Sequence, residues 1–155
     1  MKIGSLSDAK LIHRRRKSGK GPLPKGWKLL GAGTYRKAYL SPDGTVYKVD
    51  VGGFDNSTNY HEFLNYSNIN KRKLPKGWSI APTKLYSFDD VNIIAMKYIE
   101  GYHEDIDDWP VDEIYKHFSD NRASAAFKVC NIMDLHEGNY VVTPRGTKVI
   151  IDLGA

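Results

Sequence analysis

Two short runs, Asp134-Leu135-His136-Glu137-Gly138-Asn139 and Asp152-Leu153-Gly154, contain residues able to bind a metal ion. Between them lie two apolar stretches separated by a Pro144-Arg145-Gly146 turn, which predicts a two-stranded hairpin. A hairpin brings its two ends together, so we expect Asn139 and Asp152 to lie side by side. Carboxylate and amide oxygens are suitable ligands for hard cations. The two runs therefore predict a site for a divalent cation.

A glycine-rich turn, Gly31-Ala32-Gly33, lies between two predicted strands far upstream. Because glycine has no Cβ, the backbone of such a turn can approach a phosphate group closely. A dinucleotide-binding loop would need a helix directly after the glycines, and the sequence predicts none there. Taken alone, the turn is explained equally well as an ordinary hairpin.

Two charged residues on neighbouring predicted elements are further candidates. Lys48 follows Val46 and Tyr47 on a predicted strand, and Glu62 lies on a predicted helix. A lysine on a strand is most often a solvated charge, and an exposed helix glutamate is an equally ordinary feature. Their interpretation therefore depends on the elements around them.

The order of the elements is strands first and helices later. Strands are predicted at 27–30, 38–40, 45–49, 80–86 and 91–99, with a helix at 59–70 between the third and fourth strands. Two further helices are predicted at 111–118 and 121–132, followed by a hairpin of 140–142 and 149–151. Segregation of strands and helices along the chain is typical of an α+β fold.

Taken in order, these features resemble the protein-kinase-like superfamily over roughly residues 27–155. The Asp-x-x-x-x-Asn run and the later Asp-Leu-Gly are similar to the kinase catalytic loop and Asp-Phe-Gly motif, with Leu153 in place of phenylalanine. The resemblance implies that Asp134 orients the acceptor hydroxyl and that Asn139 and Asp152 bind Mg²⁺. It implies a protein-kinase-like α+β fold, with an antiparallel β-sheet N-lobe and a strongly reduced helical C-lobe.

The resemblance also implies a nucleotide site in the upstream half of the chain. Lys48 is similar to the kinase lysine that holds the phosphates of the nucleotide, and Glu62 is similar to the glutamate that pairs with that lysine. The strand entering the hinge would place Met96 in the gatekeeper-like position. The residues that the resemblance assigns to nucleotide binding are Gly31, Ala32, Gly33, Thr34, Lys48, Met96, Tyr98 and Ile99. The implied cofactors are ATP and Mg²⁺.

Two features depart from the family pattern. Ile132 and Met133 stand where the family usually has His-Arg, and the sequence stops at Ala155, directly after Asp-Leu-Gly. We expect either a differently built acceptor site or a partner protein that completes the C-lobe. The resemblance implies an ATP- and Mg-dependent phosphotransferase whose acceptor is a Ser/Thr-type hydroxyl on a protein or the hydroxyl of a small molecule. The alternative is a catalytically silent kinase-like module for nucleotide binding or protein interaction.

The composition is typical of a globular chain. Of its 155 residues, 41% are apolar, enough for a sizeable core. No apolar run approaches the length of a membrane span, and the N-terminus lacks the apolar stretch of a secretory signal. The single cysteine, Cys130, excludes an intramolecular disulfide and fits a reducing compartment. We therefore expect a cytoplasmic protein with no membrane association.

The positive charge is concentrated at the N-terminus, where residues 1–28 carry nine Lys and Arg and one acid. We expect residues 1–22 to form a basic flexible arm with a short helix at 7–16. Such arms are commonly solvated, and the alternatives are that it binds nucleic acid or recruits an acidic protein. The remainder is expected to divide into a kinase-like N-lobe with its hinge at 23–101 and a truncated C-lobe, with the catalytic and metal-binding loops, at 102–155.

Overall fold

The structure, a computed structural model, describes residues 2–18, 22–33, 36–50, 57–70, 74, 76–88, 91–103 and 140–152. In chain order the elements are α1 (Leu6–Ser18), β1 (Lys28–Ala32), β2 (Arg36–Leu40), β3 (Thr45–Asp50), α2 (Ser57–Asn70), β4 (Trp78–Ile80), β5 (Thr83–Phe88), β6 (Val91–Lys97), β7 (Tyr140–Val142) and β8 (Lys148–Ile150). They belong to two compact units, Met1–Phe63 with Pro82–Tyr98, and Leu64–Ala81 with Ile99–Ala155. The helices predicted at 111–118 and 121–132 lie outside the described residues.

The first unit is built on a five-stranded sheet in the order β1-β2-β3-β6-β5. Every neighbouring pair in this sheet is antiparallel. Side chains alternate between the two faces of a strand, so Tyr47 and Val49 of β3 join the hydrophobic core beneath α1, whereas Lys48 lies on the opposite face. The predicted α+β class and antiparallel sheet are confirmed.

The N-terminal segment is packed against this sheet. Ser5 caps α1, since its Oγ accepts the Asp8 N–H at 3.1 Å. Ala9 and Ile12 are fully buried in the core. The predicted helix at 7–16 is confirmed, but Leu6–Ser18 forms a docked helix where the composition predicts a flexible arm. The basic residues dominate the composition of this helix, whereas its contact with the core is made by the apolar residues Ala9, Leu11 and Ile12.

Two tyrosines of the sheet fix the chain just before α1. The Tyr47 hydroxyl accepts the Ser5 N–H at 2.9 Å, and the Tyr86 hydroxyl donates to the Ile3 carbonyl at 3.1 Å. Gly4 has a φ of +65°, and a Cβ at this position would lie 2.6 Å from the Tyr47 hydroxyl. Only glycine therefore lets the chain pass so close to this tyrosine.

Burial of Tyr47 gives the fold a specific sensitivity to alkaline pH. Burial raises the pKa of Tyr47 to about 12, from an ordinary value of 10.0. Between these two values the unfolded chain loses this proton while the folded chain keeps it, so stability present below pH 10 falls as the pH rises towards 12. We expect Tyr47→Phe to flatten this fall, as measured by urea midpoints across that range. An equally steep fall in the variant would assign the pH dependence to other groups.

Pro82 divides what the sequence predicts as one strand at 80–86. β4 ends at Ile80 and β5 begins at Thr83. Proline has no N–H to donate to a sheet, and the Pro82 carbonyl instead accepts the Lys97 N–H at 3.1 Å. The single strand predicted at 80–86 is therefore wrong, because its first residue belongs to the sheet of the second unit.

The second unit contains a three-stranded sheet in the order β4-β8-β7. β4 pairs with β8 in parallel, and β7 pairs with β8 antiparallel. The turn at 143–147 is closed by two hydrogen bonds, Thr143 N–H to Thr147 O at 2.9 Å and Gly146 N–H to Thr143 O at 2.8 Å. The hairpin predicted around the Pro-Arg-Gly turn is confirmed. Within the described ranges, no helix has the length and apolarity required to cross a lipid bilayer.

Candidate functional site

The structure brings together Lys48 and Glu62, which the sequence nominates from separate elements. The Lys48 Nζ lies 2.6 Å from the Glu62 Oε1. The Glu62 side chain is 0% exposed and that of Lys48 is 12% exposed. β3 and the first turns of α2 therefore hold an ion pair out of water on the sheet face opposite α1.

A second cation shares the same carboxylate. Arg36, the first residue of β2, donates from Nη1 to the Glu62 Oε2 and to the Asn59 Oδ1 at 3.0 Å. A buried carboxylate is costly unless it is paired and hydrogen-bonded, and here each of its oxygens contacts a cation. Glu62 is thus fixed from two strands at once.

Asn59 ties this cluster to the sheet backbone. Its Nδ2 donates to the Lys48 carbonyl at 3.0 Å and to the Asn92 carbonyl at 2.8 Å, and its side chain is nearly fully buried. Sequence reasoning missed the roles of Arg36 and Asn59. Arg36 lies three residues after Gly33, which is the one feature of the sequence that connects it with the glycine-rich turn, and nothing in the pattern around Asn59 distinguishes it from other helix residues.

The glycine turn, Gly31 to Gly33, is exposed to solvent. Gly31 and Ala32 end β1, and the Gly33 N–H donates to the Arg36 carbonyl at 2.8 Å, which closes the turn. Among the described residues, a Cβ at Gly31 would meet no atom within 4 Å, and one at Gly33 would meet the Arg36 carbonyl alone, at 3.7 Å. Packing against the described part of the fold therefore does not explain the two glycines. Thr34 lies outside the described residues.

The segment expected to contact adenine begins at the end of β6. Met96 is buried, and the side chain of Tyr98 is largely exposed. The Lys97 N–H donates to the Pro82 carbonyl at 3.1 Å, and the Tyr98 N–H donates to the Gly44 carbonyl at 2.9 Å. These two N–H groups are therefore used within the fold, and an adenine contact would have to use other backbone groups of this segment, such as those of Ile99.

The metal-binding residues are only partly described. Asp152 follows β8 and is half-buried. Tyr140, the residue after Asn139, lies opposite Ile150 in the hairpin register. The start of β7 therefore lies beside the end of β8, from which the chain continues to Asp152. Asp134 and Asn139 lie outside the described residues.

Comparison with known proteins identifies a structural similarity and no sequence relative. No family model matches the chain, and no curated protein matches it. A solved structure described as the streptomycin-ATP-APH(2")-IIa ternary complex is similar over 86% of this chain and 42% of that chain, at 18% identity and with a TM-score of 0.46. This chain thus spans less than half the length of that protein.

Proposed function

We propose that this chain is an ATP- and Mg-dependent phosphotransferase of the protein-kinase-like kind. Its acceptor would be a Ser/Thr-type hydroxyl on a protein or the hydroxyl of a small molecule. The observation that carries the proposal is the buried pair of Lys48 on β3 and Glu62 on α2, 2.6 Å apart, with Lys48 on the same sheet as the exposed glycine turn. Phosphoryl transfer depends mainly on positioning and charge neutralisation, and a cation fixed on a sheet supplies both.

Lys48 is suited to holding phosphate oxygens because its position is already determined. An ammonium group has three donors, so Lys48 can contact Glu62 and a phosphate together. Its side chain loses rotamer freedom when the protein folds, and less is then lost when a nucleotide binds. Glu62 would therefore act through Lys48, by keeping the ammonium group in the orientation that a bound triphosphate needs.

The glycine turn and the end of β6 would bind the rest of the nucleotide. Because no atom of the residues that the structure describes lies within 4 Å of a Cβ placed at Gly31, a phosphate can approach the backbone there. We assign the remaining contacts to the residues named from the sequence: Ala32, Gly33 and Thr34 for the phosphates, and Met96, Tyr98 and Ile99 for the adenine.

Asp152 is proposed as a ligand of Mg²⁺, together with Asn139. A half-buried carboxylate two residues after the end of β8 is a suitable oxygen donor for this ion. When bound, Mg²⁺ neutralises charge on the phosphate oxygens. Asp134 is proposed to accept or orient the proton of the acceptor hydroxyl. The roles of Asp134 and Asn139 are supported by the sequence motif alone.

Nucleotide binding and transfer can be tested separately. A ligand at about 100 times its Kd stabilises the native state by about 2.7 kcal/mol, and each kcal/mol raises Tm by about 2–4 °C at this size. We therefore expect Mg-ATP to raise Tm by about 5–10 °C. Labelled phosphate from ATP should also reach the protein or an added hydroxyl acceptor.

The matched variant for this test is Asp152→Asn, which keeps the size of the side chain and removes its charge. Compared with its own nucleotide-free Tm, it should lose most of the additional stabilisation that Mg²⁺ gives with ATP. A Tm increase without transfer to any acceptor would favour the catalytically silent module. No Tm increase with Mg-ATP at any concentration would contradict the proposed function.

A further inference from the structure

Arg36 adds contacts between helix α2 and the sheet that the phosphate-binding role of Lys48 does not require. Asn59 and Glu62 lie three residues apart on α2 and therefore face the same side of the helix. The Nη1 of Arg36 contacts the Asn59 Oδ1 and the Glu62 Oε2. A single guanidinium thus contacts α2 at two points, and each contact is made to a nearly fully buried side chain.

The position of Arg36 on β2 explains how it reaches the helix. In the register of β2 with β3, Ala38 lies opposite Lys48 and Arg36 lies opposite Asp50. Residues two apart on a strand share a face, so Arg36 and Lys48 both lie on the face that carries α2. Arg36 is also the residue whose carbonyl closes the glycine turn, and it therefore links that turn to the helix.

We propose that Arg36 is a positioning residue for phosphoryl transfer, which clamps α2 through Asn59 and Glu62 and so keeps Glu62 on Lys48. The proposal rests on the proposed function for its catalytic part, and the clamp itself rests on the contacts alone. Arg36 binds one oxygen of Glu62 while Lys48 binds the other. Rotation of the carboxylate away from Lys48 would break the contact with Arg36 as well.

The clamp has three anchors in the sheet, one on each of three strands. Arg36 comes from β2, while Asn59 reaches the carbonyls of Lys48 on β3 and Asn92 on β6. Hydrogen bonds that involve a charged group contribute more to stability than neutral ones. Without Arg36, α2 keeps the two hydrogen bonds from Asn59 to the sheet, but the Glu62 carboxylate is less restrained and can rotate.

The test compares Arg36→Met, Arg36→Lys and Lys37→Met. Lys37 is the next residue of β2 and lies opposite Val49, on the sheet face of α1, so its variant removes one charge from the same strand without touching the clamp. The first readout is amide hydrogen exchange of α2 without nucleotide. The second is the kcat and the KM for ATP in phosphoryl transfer.

In Arg36→Met we expect exchange at 59–63 to be about 10- to 100-fold faster. We also expect kcat to be about 100-fold lower with a smaller change in KM, because the lysine is misplaced and not removed. Arg36→Lys should recover part of both effects, since it restores a charge that can reach Glu62. Lys37→Met should resemble the wild type in both.

Unchanged exchange of α2 in Arg36→Met would overturn the clamp. Faster exchange with a wild-type kcat would show that Arg36 stabilises the helix alone, and would overturn the positioning role. If Arg36→Met does not fold, the same two comparisons are made with Arg36→Lys. A wild-type protein that neither binds nor uses ATP would refute the proposed function, and the exchange comparison would still decide the clamp.

Discussion

Lys48→Met is expected to lower phosphoryl transfer from ATP about 100- to 1000-fold, a loss comparable to removing one preorganised donor from a charge-stabilising site. Methionine keeps most of the length of the side chain and removes the ammonium group that lies 2.6 Å from the Glu62 Oε1. The phosphates then lose their fixed cation, while Glu62 keeps its contact with Arg36. Initial rates with labelled ATP give kcat and KM for both proteins.

The control for this experiment is Lys84→Met, which removes an exposed cation from β5. Lys84 lies over the Tyr86 ring, 4.8 Å from its centroid, and has no contact with Glu62 among those described. It should keep the wild-type rate. Transfer by Lys48→Met at the wild-type rate would remove Lys48 from the mechanism, provided that both variants melt as folded proteins.

Glu62→Ala is expected to destabilise the fold by about 3–5 kcal/mol, because it leaves two largely buried cations without the carboxylate they share. The Arg36 and Lys48 side chains are only 17% and 12% exposed, so water does not readily replace the lost partner. At this chain length the expected loss corresponds to a fall in Tm of about 10 °C. Urea unfolding and thermal melting measure it directly.

An exposed glutamate, Glu100, provides the matched control, and Glu100→Ala should melt like the wild type. The double variant Lys48→Met/Glu62→Ala should lose less stability than the sum of the two single variants, because it removes one of the two cations that Glu62→Ala deprives of their shared carboxylate. Additive losses would mean that the two residues do not interact in the folded protein. A wild-type Tm for Glu62→Ala would contradict the burial of this ion pair.

The strands and tight turns of this fold are encoded locally, and the sequence predicts most of them. β3 and β6 show β-branched and aromatic residues between turn residues. The hairpin of β7 and β8 is predicted by the Pro-Arg-Gly turn, where Gly146 has a φ of +81°. Signals of this kind depend only on neighbouring residues, so they can be recognised without the tertiary structure.

Two features of the fold depend on distant residues and could not be predicted. The parallel pairing of β4 with β8 joins residues about 70 positions apart, as in Trp78 with Lys148. The docking of α1 depends on Ala9 and Ile12 meeting the sheet, although the helix is mostly polar and basic. In both cases the deciding contact lies outside any local window of sequence.

The residues of the candidate site also divide into those that the sequence indicates and those that only the structure reveals. Lys48 and Glu62 were nominated from the sequence because the family resemblance supplies the pairing that local patterns cannot. Arg36 and Asn59 complete the cluster through contacts between distant parts of the sequence. Arg36 contacts Glu62, 26 residues away, and Asn59 contacts Arg36, 23 residues away. Their side-chain types are common on strands and helices, so only the three-dimensional arrangement reveals that they act on Glu62.

The central claim is that the sheet face carrying Lys48 binds the phosphates of a metal-bound nucleotide. Paramagnetic line broadening by Mn²⁺-ATP, with Mn²⁺ alone as the reference, tests this most directly. The amide signals of Gly31 and Lys48 are expected to broaden with Mn²⁺-ATP, while those of Ala9 and Ile12 beneath the opposite face broaden much less. Equal broadening of all four signals, or none that requires ATP, would contradict the claim.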